Sequence, residues 1–78
     1  MKADRTLDCV GLYCPMPIVK TAQEIKDMSP GEVLEVIADD SGIKSDMPAW
    51  AAKTNNEFLC VEEEGGEIRV FVRKPEEK

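Results

Sequence analysis

The chain has 78 residues and a mass of 8.7 kDa, the size of one small domain. A domain of this size buries only about 60% of its unfolded surface, so it holds one thin core and no deep cofactor cavity. Ten Lys and Arg against sixteen Asp and Glu give a net charge of −6. That charge argues against nucleic acid as a direct partner, because phosphate binding needs a positive surface. No apolar run approaches the roughly 20 residues that cross a bilayer and no signal peptide is visible, so we expect a cytoplasmic protein with no membrane segment.

The first half of the chain predicts a strand, a helix and a second strand. Leu7–Val10 is a short apolar strand that ends at Gly11. From Pro17 the apolar residues recur at helical spacing, with Ile18, Ala22 and Ile25 on one face, until a stop at residues 29–31. Glu32–Ala38 is rich in aliphatic and β-branched residues, which is typical of a central strand.

The second half predicts a second helix followed by two strands. Residues 39–42 form a turn cluster, and the helix after it presents Ile43, Met47, Trp50 and Ala51 on one face. Pro48 fits only a first turn, so Ser45 or Asp46 is the expected cap, and Asn55-Asn56 closes the helix. Glu57–Glu63 and Glu67–Arg73 are strands, and Gly65-Gly66 between them is a hairpin signal.

This order of elements, β-α-β-α-β-β with short connections, predicts the fold class. We expect an α/β (α+β) protein, a two-layer α/β sandwich with a mixed four-stranded sheet and both helices on one face. Residues 1–78 form one domain, and about residues 74–78 form a loose C-terminal tail. In the last strand Ile68, Val70 and Val72 are expected to face the core.

Cys14 is the candidate reactive residue, because it lies at the junction of the first strand and the first helix and is followed closely by Pro15 and Pro17. Pro15 favours an extended Cys14, and Pro17 suits a helix start, so the helix should not begin before Pro17. The positive end of a helix lowers the pKa of a nearby thiol below its usual value of about 8.5. The two prolines remove two N–H donors, so we expect a modest lowering and a stiff, exposed loop. The alternative is that Cys14 is a small core residue, since cysteine is often buried.

The other candidates have simpler structural interpretations. Cys9 and Cys60 lie in predicted strands and are expected to fill the core. Three cysteines and no histidine do not suit a structural zinc site, so no metal is expected. Asp39, Asp40 and Asp46 could form a carboxylate pair for acid–base chemistry, or serve as turn and capping residues.

The chain resembles the TusA/SirA-like sulfurtransferase family through a signature that covers essentially its whole length. The most specific element is Cys14-Pro15-Met16-Pro17. The other matching elements, in chain order, are Leu7-Asp8, Gly11-Leu12, Pro30-Gly31-Glu32, Ala38-Asp39-Asp40, Asp46-Met47-Pro48 and Trp50. Two positions depart from many relatives: Ala51 stands where they have cysteine, and Asn56 stands where they have histidine.

The resemblance implies a sulfur carrier, an enzyme in the sense of a persulfide relay, in which Cys14 carries a transient persulfide and no other cofactor is needed. Its partners would be a persulfide donor such as a cysteine desulfurase and a downstream acceptor protein. Relatives serve tRNA thiolation, molybdenum cofactor biosynthesis, sulfur oxidation or selenium metabolism. Pro15, Met16 and Pro17 would shape the loop, with Asp40 and Asp46 as accessory residues. Two other functions remain open: a non-catalytic interaction module, and a thiol redox sensor that uses Cys9 and Cys14.

Overall fold

Six elements of secondary structure follow one another in the order that the sequence predicts. The structure is a computed structural model and describes residues 2–13 and 15–76. The elements are β1 (Arg5–Asp8), α1 (Met16–Lys26), β2 (Val33–Ala38), α2 (Ile43–Thr54), β3 (Glu57–Glu64) and β4 (Glu67–Arg73). β1 lies two residues earlier than predicted, because a turn that begins at Cys9 ends the strand. The predicted fold class is confirmed.

The four strands form one mixed sheet in the order β1-β2-β4-β3. β1 is parallel to β2, whereas β4 is antiparallel to both β2 and β3. β2 is therefore a central strand, as its aliphatic composition predicts. The predicted hairpin is also confirmed: Gly65 and Gly66 both have positive φ, at 58° and 84°, which the two-residue turn requires.

Both helices pack on the same face of the sheet and enclose one core. Alternate residues of β2 and β4 face the helices and are almost fully buried: Leu34, Val36, Ala38, Ile68, Val70 and Val72. The helices contribute Ile25, Ile43 and Met47 to this cluster, with Trp50 packed partly buried against it. Of the helices in the described residues, none is long and apolar enough to cross a membrane.

Helix α1 is rotated relative to the face that its apolar residues predict. Its buried residues are Pro17, Thr21 and Ile25, while Ile18 and Ala22 are only partly buried. Thr21 is completely buried, and its hydroxyl donates a 2.7 Å hydrogen bond to the carbonyl oxygen of Pro17, one turn earlier. Because this bond satisfies the hydroxyl, a polar side chain can lie at the helix–sheet contact. Of the predicted face, Ile25 lies in the core and Ile18 packs partly buried against it, while the most buried side of the helix is displaced by about one residue toward Pro17 and Thr21.

Helix α2 begins earlier than predicted, so the predicted cap at Ser45 or Asp46 is wrong. The residue before the helix is Gly42, which makes no side-chain cap, and Pro48 lies inside the helix. Two hydrogen bonds between residues three positions apart lead into the helix. The N–H of Ile43 donates to the carbonyl of Asp40, and the N–H of Ser45 donates to the carbonyl of Gly42. The turn that ends β2 thus continues into α2 without a break. The predicted closure is confirmed, since Asn55 has a left-handed φ of 66°.

The sheet face away from the helices contains a buried side chain that the alternation of apolar and polar residues along β4 did not predict. Phe71 lies on this face and is only 1% exposed. Its register partners are Glu35 and Cys60, and Arg69 and Arg73 lie two positions away on the same strand. Arg69 bonds Glu35 at 2.9 Å, and Arg73 bonds Glu57. Phe71 therefore lies between two ion pairs that link β4 to β2 and to β3.

The C-terminal segment is held in place through Lys74. The backbone N–H of Lys74 donates to Glu32, its carbonyl accepts from Gly31, and its ammonium donates to the carbonyl of Met28 at 2.7 Å. Lys74 was predicted to begin the loose tail, and these bonds place it instead against the end of α1 and the start of β2. The last two residues of the predicted tail, 77 and 78, lie outside the described residues.

Candidate functional site

The segment between β1 and α1 contains the predicted reactive cysteine. β1 ends at Asp8 and α1 begins at Met16. Cys14 itself lies outside the described residues, so the site is built here from the residues on either side of it. Tyr13 is 75% exposed and Pro15 is exposed, whereas Leu12 is partly buried against the core.

Residues 9–12 form a turn that hydrogen bonds attach to the neighbouring strand. The N–H of Cys9 donates to the carbonyl of Ile37 at 2.7 Å, and the N–H of Leu12 donates to the carbonyl of Cys9 at 3.1 Å. Gly11 has a φ of +86°, which a residue without a Cβ adopts at little cost. The turn therefore has a defined conformation before the chain reaches position 14.

Two carboxylates hold the tip of this turn. Asp8 accepts a 3.0 Å hydrogen bond from the N–H of Val10, and Asp39 accepts a 3.1 Å hydrogen bond from the N–H of Gly11. The second bond joins residues 28 positions apart, from the ends of two parallel strands. From the sequence, Asp39 was interpreted only as a turn residue or a member of a carboxylate pair. The contact between Asp39 and Gly11 could have been predicted from one general rule, that the carboxyl ends of adjacent parallel strands lie at the same edge of a sheet.

Helix α1 starts at Met16, two positions after Cys14. Pro15 precedes the helix with φ −98° and ψ 15°, and no side chain caps the first turn. The N–H of Met16 donates to the carbonyl of Tyr13 at 2.8 Å, so the helix begins at Met16, one residue before the predicted start at Pro17. Pro17 occupies the second helical position, where its missing N–H costs no intrahelical bond.

The structure brings Pro17 together with both predicted accessory carboxylates. A narrow cleft of about 10 Å³, room for roughly one water, is lined by Pro17, Ile18, Asp40, Ile43 and Asp46. The N–H of Gly42 donates to Asp40 at 3.0 Å, so this carboxylate also serves the turn before α2. The start of α1 and the start of α2 thus meet, and Asp40 and Asp46 lie beside Pro17, the last residue of the Cys-Pro-Met-Pro motif.

The two described cysteines occupy different environments. Cys9 is completely buried, as predicted for a core residue. Burial raises the pKa of the Cys9 thiol, the negative charge of Asp8 raises it further, and Lys20 opposes the shift. Cys60 is only partly buried and lies beside Phe71 on the face away from the helices, so its prediction as core filler is wrong. Within residues 2–13 and 15–76, no cluster of His, Cys, Asp or Glu could hold a metal ion.

Comparison with known proteins assigns the fold and the family. The family model for sulfurtransferase TusA matches residues 5–74. YrkF of Bacillus subtilis is 53% identical over 74 residues, which are 95% of this chain and only 40% of YrkF. The sulfur carrier protein TusA of Allochromatium vinosum is 42% identical over 71 residues, with 91% of this chain and 93% of that protein covered.

A solved structure supports the same architecture. The SirA-like protein from Desulfitobacterium hafniense superposes with a TM-score of 0.75 and 24% sequence identity. The superposition covers 92% of this chain and 99% of that protein. The likeness establishes a shared fold, and the family assignment rests on the sequence matches. This chain belongs to the sulfurtransferase TusA family.

Proposed function

We propose that this chain is a sulfur carrier that accepts sulfane sulfur on Cys14 and passes it to an acceptor protein. The Cys14 thiolate attacks the outer sulfur of a donor persulfide, R–S–SH. A bond forms between the Cys14 sulfur and that outer sulfur, and the S–S bond of the donor breaks. The products are Cys14–S–SH and the donor thiolate R–S⁻, so atoms and electrons balance without an added oxidant. Attack by an acceptor thiolate on Cys14–S–SH completes the transfer in the same way.

The observation that carries the proposal is the family match over residues 5–74, which spans Cys14 and both of its proline neighbours. The structure supplies a scaffold that suits the role. The turn before position 14 is joined to β2 by the backbone hydrogen bond from Cys9 to Ile37 and to Asp39 by the hydrogen bond that the N–H of Gly11 donates to its carboxylate. Because the segment is ordered on both sides, a partner meets it at little conformational cost.

The roles proposed for the neighbouring residues follow from their positions. Pro15, Met16 and Pro17 stiffen the segment after Cys14, and Asp40 and Asp46 are accessory residues beside the cleft lined by Pro17. The proposed donor is a persulfide-bearing protein such as a cysteine desulfurase, and the acceptor is a thiol protein of a sulfur-using pathway. We assign the exchange to the reducing cytoplasm, where free thiols persist.

The redox alternative, a Cys9–Cys14 pair, receives no support from the environment of Cys9. A thiol must be deprotonated and accessible to attack a disulfide or a sulfenic acid. Cys9 is completely buried, and burial raises its pKa. Cys9 is therefore a poor resolving thiol in the folded protein.

Mass spectrometry of the intact protein tests the proposal. The purified chain is incubated with a cysteine desulfurase and cysteine, and we expect a mass increase of one sulfur atom. The increase should persist in Cys9→Ser and Cys60→Ser, which are the matched controls, and disappear in Cys14→Ser. No increase in the wild-type protein would contradict the carrier role and favour an interaction module. Loss of two hydrogens on oxidation, abolished by Cys9→Ser, would favour the redox pair.

A further inference from the structure

A carboxylate joins the parallel strands β1 and β2 just beyond each end of their pairing. At the start of the pair, the carboxylate of Asp4 accepts a 2.8 Å hydrogen bond from the N–H of Val33. At the end of the pair, the carboxylate of Asp39 accepts a 3.1 Å hydrogen bond from the N–H of Gly11. The bonded residues are 29 and 28 positions apart, so each bond connects one strand segment to the other. The two bonds therefore have the same chemistry at opposite ends of one strand pair.

The carboxylate of Asp4 reinforces a contact that the backbone also makes. The N–H of Asp4 donates a 2.9 Å hydrogen bond to the carbonyl of Val33, and the paired strands follow directly after these two residues. Because this backbone bond does not involve the side chain, residue 4 stays beside β2 when the carboxylate is removed.

The carboxylate of Asp39 acts where the chain leaves the strand pairing. After the backbone bond from Cys9 to Ile37, the chain turns at Gly11, whose φ is +86°. The bond from Gly11 to Asp39 attaches this turn to the first residue after β2. Cys14 follows Gly11 by three positions. The place at which the chain approaches position 14 therefore depends on this side-chain bond.

The other carboxylate at the turn has a local effect only. Asp8 accepts its hydrogen bond from the N–H of Val10, two residues later in the same segment. Such a bond shapes the turn but does not attach it to another strand. Asp39 supplies the attachment, because it belongs to the segment that leaves β2.

We propose that Asp39 is a positioning residue for sulfur transfer between proteins: its bond to Gly11 sets the place at which Cys14 meets the persulfide of a donor protein. The inference rests on the proposed function, because it takes Cys14 to be the acceptor of the sulfur. Two groups held by separate proteins react quickly only when both are held in the reactive geometry. A turn that is already in its bound conformation also lowers the ordering cost of the encounter. Asp39 itself exchanges no proton or sulfur in the reaction.

Three variants separate the hydrogen bond of Asp39 from its charge and from general stability. Asp39→Ala removes the acceptor, whereas Asp39→Asn keeps an oxygen acceptor and removes the charge. Asp4→Ala is the matched control, because it removes the equivalent bond at the other end of the strand pair and both aspartates are exposed. Circular dichroism confirms that each variant is folded, and urea denaturation compares their stabilities.

Each variant is loaded with sulfur from two donors. One donor is a cysteine desulfurase with cysteine, and the other is glutathione persulfide, a small molecule that can approach the thiol from many directions. We expect Asp39→Ala to lower kcat/KM for loading by the desulfurase about three- to tenfold, because the competent turn is populated less of the time. Loading by glutathione persulfide should stay within about twofold. Asp39→Asn and Asp4→Ala should stay within about twofold of wild type with both donors.

Amide hydrogen exchange at Gly11 reports the bond directly. We expect exchange of the Gly11 N–H to be faster in Asp39→Ala than in wild type and to be close to the wild-type rate in Asp39→Asn and Asp4→Ala, because only Asp39→Ala removes the acceptor.

The positioning role is contradicted if Asp39→Ala loads from the desulfurase at the wild-type rate, or if Asp39→Ala slows equally with both donors. It is also contradicted if Asp4→Ala slows as much as Asp39→Ala, since the cause would then be general stability. An equal loss in Asp39→Asn would assign the effect to charge and overturn the role of the hydrogen bond. Loading of wild type by glutathione persulfide alone would leave Cys14 as an acceptor and refute positioning toward this protein donor. Absence of loading from both donors in wild type would refute the proposed function itself.

Discussion

Replacement of Gly11 by alanine is a sharp test of the turn that precedes Cys14. Gly11 has a φ of +86°, and a Cβ built there meets no atom within 4 Å. The substitution therefore introduces no clash, and the hydrogen bond from the N–H of Gly11 to Asp39 is retained. What remains is the cost of holding an L-residue in the left-handed region, which is about 1–2 kcal/mol. We expect the free energy of unfolding to fall by that amount.

Gly42→Ala is the matched control, because it is the same chemical change at a different φ. Gly42 has a φ of −59°, and its Cβ would lie 3.4 Å from a carboxylate oxygen of Asp40, an ordinary contact. At a permitted φ, Gly→Ala stabilises a protein by about 0.4–1 kcal/mol, since it restricts the unfolded chain. We expect Gly42→Ala to be neutral or stabilising and the two variants to differ by about 2 kcal/mol.

Urea denaturation monitored by Trp50 fluorescence and circular dichroism measures both changes. Gly11→Asn should lose less stability than Gly11→Ala, because asparagine tolerates the left-handed region better. The reasoning fails if Gly11→Ala lies within about 0.5 kcal/mol of wild type, the range of ordinary surface substitutions. It also fails if Gly42→Ala is as costly as Gly11→Ala, because backbone conformation would then not distinguish the two positions.

Three further predictions concern the core and the thiols. Phe71→Ala should cost about 3–4 kcal/mol in urea denaturation although it lies away from the helices, and a loss below about 1 kcal/mol would contradict its burial. Because the folded state raises the pKa of Cys9, it holds that proton more tightly than the unfolded chain. The free energy of unfolding should therefore fall as pH rises above the usual thiol pKa of about 8.5, and Cys9→Ala should remove that part of the decline. Identical pH dependence of the free energy of unfolding in the wild-type protein and in Cys9→Ala would refute this prediction. Cys60→Ser should cost less than about 1 kcal/mol, because Cys60 is only partly buried; a loss of 2 kcal/mol or more in the same denaturation assay would restore the core interpretation.

Local patterns were sufficient to predict the order of the elements and the fold class. A backbone preference of a few adjacent residues was enough in three places: the Gly65-Gly66 turn, the aliphatic run of β2 and the left-handed Asn55. Patterns of this kind failed where packing decided the outcome. Thr21 is buried and Ile18 only partly so, because the bond from Thr21 to the carbonyl of Pro17 makes a hydroxyl acceptable in the core. The predicted start of α2 was wrong because it placed Pro48 in the first turn of the helix. The helix begins earlier, at Ile43, and Pro48 lies inside it.

The candidate site likewise has some features that the local sequence predicts and others that only packing determines. The sequence by itself determined the motif at Cys14, the two prolines that follow it, and the position of this segment between a strand and a helix, because these are matters of covalent order and local stereochemistry. Only the tertiary structure decided that Asp39 bonds Gly11 and that Asp40 and Asp46 share a cleft with Pro17. Each of these depends on how the parallel strands β1 and β2 bring their carboxyl ends to one edge of the sheet, and no window of adjacent residues contains both partners.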